Sequence, residues 1–141
     1  MEMQADYRDA LDRHWLDAED LNVRGRFANA DHLYGVAAEC GLKFMMILFG
    51  MNTDPATGDP TNKKDRVHAY EAWTRYEAYR SGFGSGIKYT LPAGNPFSDW
   101  DVSQRYGNRG NFDATRASRH RAGTIIVRKM TAQARADGLM S

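Results

Sequence analysis

The side chains best suited to chemistry are concentrated in one basic segment, RYGNRGNFDATRASRHR, at residues 105–121. Arginine binds phosphate groups through paired hydrogen bonds, and an imidazole can transfer protons near neutral pH. Arg116 and His120 are four residues apart, a spacing that brings two side chains to the same face of a helix. We therefore predict that Arg116 and His120 form a catalytic pair that holds a phosphate and moves its proton.

The remaining arginines of this segment are predicted to bind nucleic acid. They are Arg105, Arg109, Arg119 and Arg121. An alternative interpretation needs no ligand, because residues 1–31 hold eight acidic residues against four arginines, whereas residues 101–141 hold eight basic residues against three aspartates. Two segments of opposite charge can pair within the fold, pair between subunits, or leave a basic face for an anionic partner.

A second polar set interrupts the most apolar stretch of the chain, residues 32–50. Glu39 precedes Lys43 by four residues, the favourable order for an ion pair on a helix, and His32 lies one heptad before Glu39. This set is either a solvated edge of a core helix or a small buried polar pocket formed by His32, Glu39 and Lys43.

No cofactor and no metal ion are predicted. The glycine-rich stretch GFGSG has no strand before it, which dinucleotide-binding loops require. The four histidines are scattered, and His68 and Glu71 lack the further carboxylates that a metal site in a helical bundle needs.

Helical spacing of apolar residues predicts four main helices, one short helix and two long loops. We expect a break near Gly25, because glycine in a helix interior costs about 1 kcal/mol relative to alanine. Asp113 is predicted to cap the last helix and Gly138 to end it. The main helices are predicted at residues 5–21, 29–49, 66–80 and 113–138, and the short one begins with Ser98 as its cap. The predicted buried side of the last helix comprises Ala122, Ile125, Ile126 and Met130.

The fold class follows from these elements. A chain of 141 residues is long enough for one domain with a core, residues 1–141, and no segment reads as a strand. We therefore predict an all-α, up-and-down four-helix bundle. Glu39 and Lys43 interrupt the apolar stretch, so no membrane span is expected, and the single cysteine, Cys40, favours a cytoplasmic location.

The order of these segments resembles the HEPN superfamily of small α-helical proteins. The resemblance rests on RFANADHLYGVAAECGLKFMMILFG and, after a further helix, on DWDVSQRYG, and covers roughly residues 15–135. It implies a helical bundle that pairs as a homodimer. Many members are metal-independent ribonucleases of toxin–antitoxin or phage-defence systems, and others are non-catalytic partners. Active members have four to six residues between arginine and histidine in a late helix, whereas Arg116 and His120 have three between them.

Two functional hypotheses follow from the residues and the resemblance. The first is RNA binding, with metal-independent RNA cleavage by Arg116 and His120. It predicts that His120→Ala abolishes cleavage in the presence of EDTA and leaves the helicity unchanged. The alternative is a non-catalytic helical module that binds a protein partner, such as an antitoxin, a defence component or a phage protein.

Overall fold

The computed structural model describes residues 3–139, which fold into a bundle of four α-helices. The helices are α1 (Tyr7–Val23), α2 (Phe27–Leu48), α3 (Ala69–Ser81) and α4 (Ala114–Ala136). Residues 3–139 contain no β-strand. The prediction of an all-α bundle is therefore confirmed, and the up-and-down order of its helices stays a prediction.

The boundaries of α1 and α4 are determined by local residue chemistry. Asp6 caps α1 by accepting a hydrogen bond from the backbone N–H of Asp9 at 3.0 Å. Gly25 has a φ of 74°, a left-handed conformation that glycine adopts at no steric cost, so the chain breaks where predicted. Asp113 caps α4 through the backbone N–H of Arg116, also as predicted.

The central helix is α2, which packs against each of the other three helices. Its N-terminal half contributes Tyr34 and Ala37 to a core shared with α1. Its C-terminal half contributes Leu42 and Met46 to a larger core shared with α3, α4 and the long connection between them. Burying each such large apolar side chain stabilises the fold by about 1.5–3 kcal/mol. This burial on most sides explains why α2 is apolar around nearly its whole circumference.

The buried face of α4 differs from the predicted one. Met130 is buried, but Ile125 and Ile126 are only half-buried and Ala122 is exposed. The helix is rotated so that the polar side chain of His120 points inward, because other elements supply hydrogen-bonding partners for it there. The buried residues of α4 are Ala117, His120, Gly123, Thr124, Val127, Met130 and Ala134.

The connection from α3 to α4 includes the predicted short helix, a 3-10 helix at Val102–Tyr106. It is capped by Asp101 and not by Ser98. The Asp101 carboxylate accepts from the backbone N–H of Ser103 at 2.8 Å, and the Gln104 side chain accepts from the N–H of Asp101 at 3.2 Å. Because this reciprocal capping box needs glutamine or glutamate at the third helical position, the helix begins three residues later than predicted.

Candidate functional site

The predicted catalytic histidine lies between two carboxylates. Nδ1 of His120 is 2.5 Å from Oδ1 of Asp31, and Nε2 is 2.7 Å from Oδ1 of Asp99. Ionised carboxylates only accept hydrogen bonds, so both contacts are satisfied together when each ring nitrogen carries a proton. The His120 side chain has no solvent-exposed surface. Both ring nitrogens of His120 therefore contact carboxylates of the protein and not solvent.

Asp31 connects α2 to this histidine. Its carboxylate is fully buried near the start of α2, and Nε2 of Gln104 donates to its second oxygen at 2.6 Å. Nε of Arg116 lies 3.5 Å from the same oxygen. A buried carboxylate is costly unless it is paired and hydrogen-bonded. Asp31 meets that requirement through side chains from α4 and from the short 3-10 helix.

Asp99 connects the α3–α4 connection to the same histidine. Arg119 donates to its second carboxylate oxygen at 2.7 Å, and Arg116 contacts that oxygen at 3.2 Å and also the Asp99 carbonyl. Burial by itself would raise the pKa of the Asp99 carboxyl, but the hydrogen bonds from Arg119 and His120 outweigh burial and hold this pKa well below its ordinary value. The carboxylate is thus ionised at neutral pH.

Two aromatic side chains contact the polar network. The Phe97 ring stacks on the His120 ring with a centroid separation of 5.6 Å. The indole N–H of Trp100 donates to the backbone carbonyl of Asp31 at 3.1 Å. We name Asp31, Asp99, Arg116 and His120 the buried network, because Asp31 and His120 at its centre are fully buried, whereas Arg116 is half-buried and Asp99 is exposed at its edge. It fastens the 97–101 segment to α2 and α4, as an internal cross-link would.

The lowered pKa of Asp99 makes a prediction about acid stability. A carboxylate with a depressed folded-state pKa stabilises the fold above the unfolded value of about 3.9, and this contribution is lost as the pH falls through the folded pKa. We therefore expect the free energy of unfolding to be higher for wild type than for Asp99→Asn. This difference should be largest at neutral pH and should shrink progressively below about pH 4. Urea titrations of both proteins across this range measure the difference, and a pH-independent difference would contradict the assignment.

The predicted nucleic-acid-binding arginines divide into two pairs. Arg119 is bound to Asp99, and Arg121 binds Glu19 on α1 with Nε to Oε1 at 2.6 Å. The second pair, Arg105 and Arg109, is exposed and forms no salt bridge within residues 3–139. The ion pair between α1 and α4 confirms that part of the acidic and basic charge is paired within the fold.

Arg109 lines an open cavity at one end of the bundle, which we name the end cavity. It lies between the start of α2 and the 107–112 segment and has a volume of about 680 Å³. Arg26 also lines it and is likewise exposed and free of salt bridges within the described residues. Nearby in the chain, Tyr106 is 80% exposed, and the Arg105 guanidinium lies 5.0 Å from its ring centroid. The lining residues are Gly25, Arg26, Phe27, Ala28, Asn29, Gly107, Arg109 and Phe112.

The predicted polar pocket is only partly assembled. Nζ of Lys43 donates to Glu39 at 3.0 Å, which confirms the helical ion pair, and Nδ1 of His68 is 2.9 Å from the other Glu39 oxygen. His32 does not join them, because its ring stacks on Trp100 at a centroid separation of 5.6 Å. His32, Glu39 and Lys43 line neither the end cavity nor the cavity between α1 and α4.

Several residues of the site escaped sequence reasoning. Asp31 and Asp99 bind His120 across 89 and 21 residues of sequence, and Gln104 binds Asp31 across 73. One signal was present: Asp31 precedes Tyr34 and Ala38 at helical spacing, on a face that is buried. A carboxylate on such a face needs a cationic partner from another element.

Comparison with known proteins provides no family and no ligand for this site. Within residues 3–139 no group of three or more histidine, cysteine, aspartate or glutamate side chains is arranged so that it could hold a metal ion, and no helix there has the length and apolar character needed to cross a membrane. The chain matches no protein-family model, no curated protein and no solved structure.

Proposed function

We propose that this protein is a cytoplasmic, homodimeric, HEPN-like helical module that binds single-stranded RNA at the end cavity and does not cleave it. The observation that carries the proposal is the pair of exposed arginines, Arg26 and Arg109, which line the end cavity and form no salt bridge within residues 3–139; the exposed Tyr106 precedes the lining residue Gly107 in the chain. Arginine forks bind phosphates, and an exposed aromatic ring stacks on an unpaired base. Together they supply both contacts that a single strand requires.

The non-catalytic part of the proposal rests on the buried network. A ribonuclease histidine must reach the 2′-hydroxyl or the leaving oxygen of the substrate, within hydrogen-bonding distance. His120 is fully buried, and both of its ring nitrogens face carboxylates. RNA bound at the end cavity would not reach this ring without disruption of the network. Under the HEPN resemblance, the protein would act as a non-catalytic member of a toxin–antitoxin or phage-defence system.

The RNA-binding proposal predicts a specific change in salt dependence. For Arg26→Ala/Arg109→Ala, affinity for a labelled single-stranded RNA should fall at least about tenfold at low salt. Loss of two phosphate contacts should also reduce the slope of log affinity against log salt by about 1.4. Fluorescence anisotropy between about 50 and 200 mM salt measures both quantities.

The matched control is Lys63→Ala/Lys64→Ala, which removes the same charge from an exposed loop beyond the C-terminal end of α2. This control should bind RNA as wild type does. Equal loss of affinity in both variants would show only a general charge effect and would contradict the site. Cleavage of the RNA by wild-type protein in EDTA would contradict the non-catalytic part.

A protein-interaction module without enzymatic activity is the second candidate function. It is favoured by two large apolar side chains, Phe83 and Ile87, which are 45% and 76% exposed at the turn after α3. Such exposed apolar groups are typical of contact sites for a protein partner when they form a patch. Absence of measurable affinity for RNA and for DNA of the same sequence at low salt would favour this candidate over RNA binding.

A further inference from the structure

A second cavity lies along the side of the bundle, between α1 and α4, and we name it the side groove. It has a volume of about 320 Å³ and is open to solvent. Leu11, Phe44 and Ile125 form an apolar floor, of which Leu11 is buried and the other two are half-buried. The lining residues are Arg8, Leu11, Asp12, Phe44, Ile125, Arg128, Lys129, Thr131, Ala132 and Arg135.

The charge of the side groove is positive and uncompensated. Arg8, Arg128, Lys129 and Arg135 form no salt bridge within residues 3–139, and Asp12 is the acidic side chain that lines the groove with them. The Arg128 guanidinium lies 4.5 Å from the centroid of the Trp15 ring, which fixes its position against α1. A partner for this surface must therefore combine negative charge with apolar side chains.

The outer side of α1 has this combination, and we name it the acidic face. Leu16 and Val23 are 65% and 83% exposed and are seven residues apart on one side of the helix. Asp20 pairs with Arg24 at 3.2 Å, but both side chains are at least 60% exposed, so this pair contributes little and is easily exchanged. The acidic face comprises Asp9, Leu16, Asp20 and Val23, which lie along one side of the helix at steps of seven, four and three residues.

We propose that the acidic face of one copy docks in the side groove of a second copy. Both surfaces belong to the same chain, so the contact can be made twice around a two-fold axis, as in most homodimers. Leu16 and Val23 would cover the apolar floor, and the aspartates would face the four cations. This contact would be the interface of the homodimer that the proposed function includes. It rests on the homodimer and not on RNA binding.

A nucleic acid is the competing occupant of the side groove, and the structure favours the protein. Phosphates would pair with the cations but leave the apolar floor unused, whereas an amphipathic helix uses both parts of a groove. The aspartates of the acidic face repel a nucleic acid, whereas its exposed Leu16 and Val23 are explained by a protein contact. A second copy of the chain supplies the required helix without a further component.

Paired charge reversals test the interface. Lys129→Glu/Arg135→Glu reverses the groove, and Asp9→Lys/Asp20→Lys reverses the acidic face. Each variant alone places like charges together, so we expect each to be monomeric at concentrations where wild type is dimeric. Mixed in equal amounts, the two variants restore opposite charges at both contacts and should form a heterodimer. Sedimentation velocity measures the mass in each case, and Lys63→Glu/Lys64→Glu, whose reversed charges belong to neither surface, should remain dimeric.

Three outcomes would overturn the interface: a wild-type protein that stays monomeric up to about millimolar concentration, a dimer that both reversals leave intact, or a mixture that forms no heterodimer. Loss of RNA affinity in a monomeric groove variant would show that nucleic acid occupies the side groove, and would also overturn it. RNA binding measured on Arg26→Ala/Arg109→Ala is a separate readout. Failure there with an intact dimer contradicts the end cavity and leaves the interface standing.

Discussion

Replacing His120 with alanine is expected to lower the free energy of unfolding by about 3–5 kcal/mol, the range found when one partner of a buried ion pair is removed. The substitution leaves the buried Asp31 carboxylate without its closest partner and Asp99 without one of its donors. It also leaves a space beneath the Phe97 ring. Urea unfolding followed by circular dichroism measures the change.

His14→Ala is the matched control, because it removes a histidine that lies outside the buried network. His14 is half-buried on α1 and forms no side-chain hydrogen bond within residues 3–139, so His14→Ala should cost far less than His120→Ala. A double-mutant cycle with Asp31→Asn should show strong coupling to His120, since the two side chains share one hydrogen bond. Equal costs for the two histidine variants, or additive effects in the cycle, would contradict the cross-linking role.

This expected result differs from the one that the catalytic hypothesis gives. A surface histidine that only moves protons can be replaced with little loss of helicity, whereas a histidine that connects α2, α4 and the 97–101 segment cannot. The stability of His120→Ala is therefore as informative as its activity. If His120→Ala is fully helical and as stable as wild type, the buried network does not hold the fold together, and the ring is accessible for chemistry.

The sequence predicted local structure well because local chemistry determines it. The break at Gly25 and the cap at Asp113 depend on residues within one turn, and both are confirmed. The helical ion pair of Glu39 and Lys43 is likewise a contact between neighbours on one helix.

The candidate site was predicted less well because its contacts are long-range. The identification of Arg116 and His120 as neighbours was correct, but their partners come from α2 and from an irregular connection. The predicted buried side of α4 did not include His120, since hydropathy alone ranks Ile125 above His120 as a core residue. The buried carboxylate of Asp31 reverses that ranking, and nothing within α4 signals its presence.

Gly35→Ala is expected to destabilise the fold by about 2 kcal/mol, although alanine is the better helix former. A Cβ atom at position 35 would lie 2.0 Å from the Trp100 indole, so the indole must move. Overpacking of this kind costs about 3 kcal/mol at its upper range, and the gain in helix propensity offsets about 1 kcal/mol. Urea unfolding of the variant and of wild type measures the net effect.

The structural reason for this cost is that Trp100 has no alternative position close by. Its ring is 3% exposed, and its N–H donates to the Asp31 carbonyl one turn before Gly35. Moving the indole therefore breaks that hydrogen bond and disturbs the segment that carries Asp99. Gly94→Ala is the control, because a Cβ there meets no atom within 4 Å. If Gly35→Ala is as stable as Gly94→Ala, the close approach of α2 and Trp100 is not what holds the 97–101 segment against the bundle.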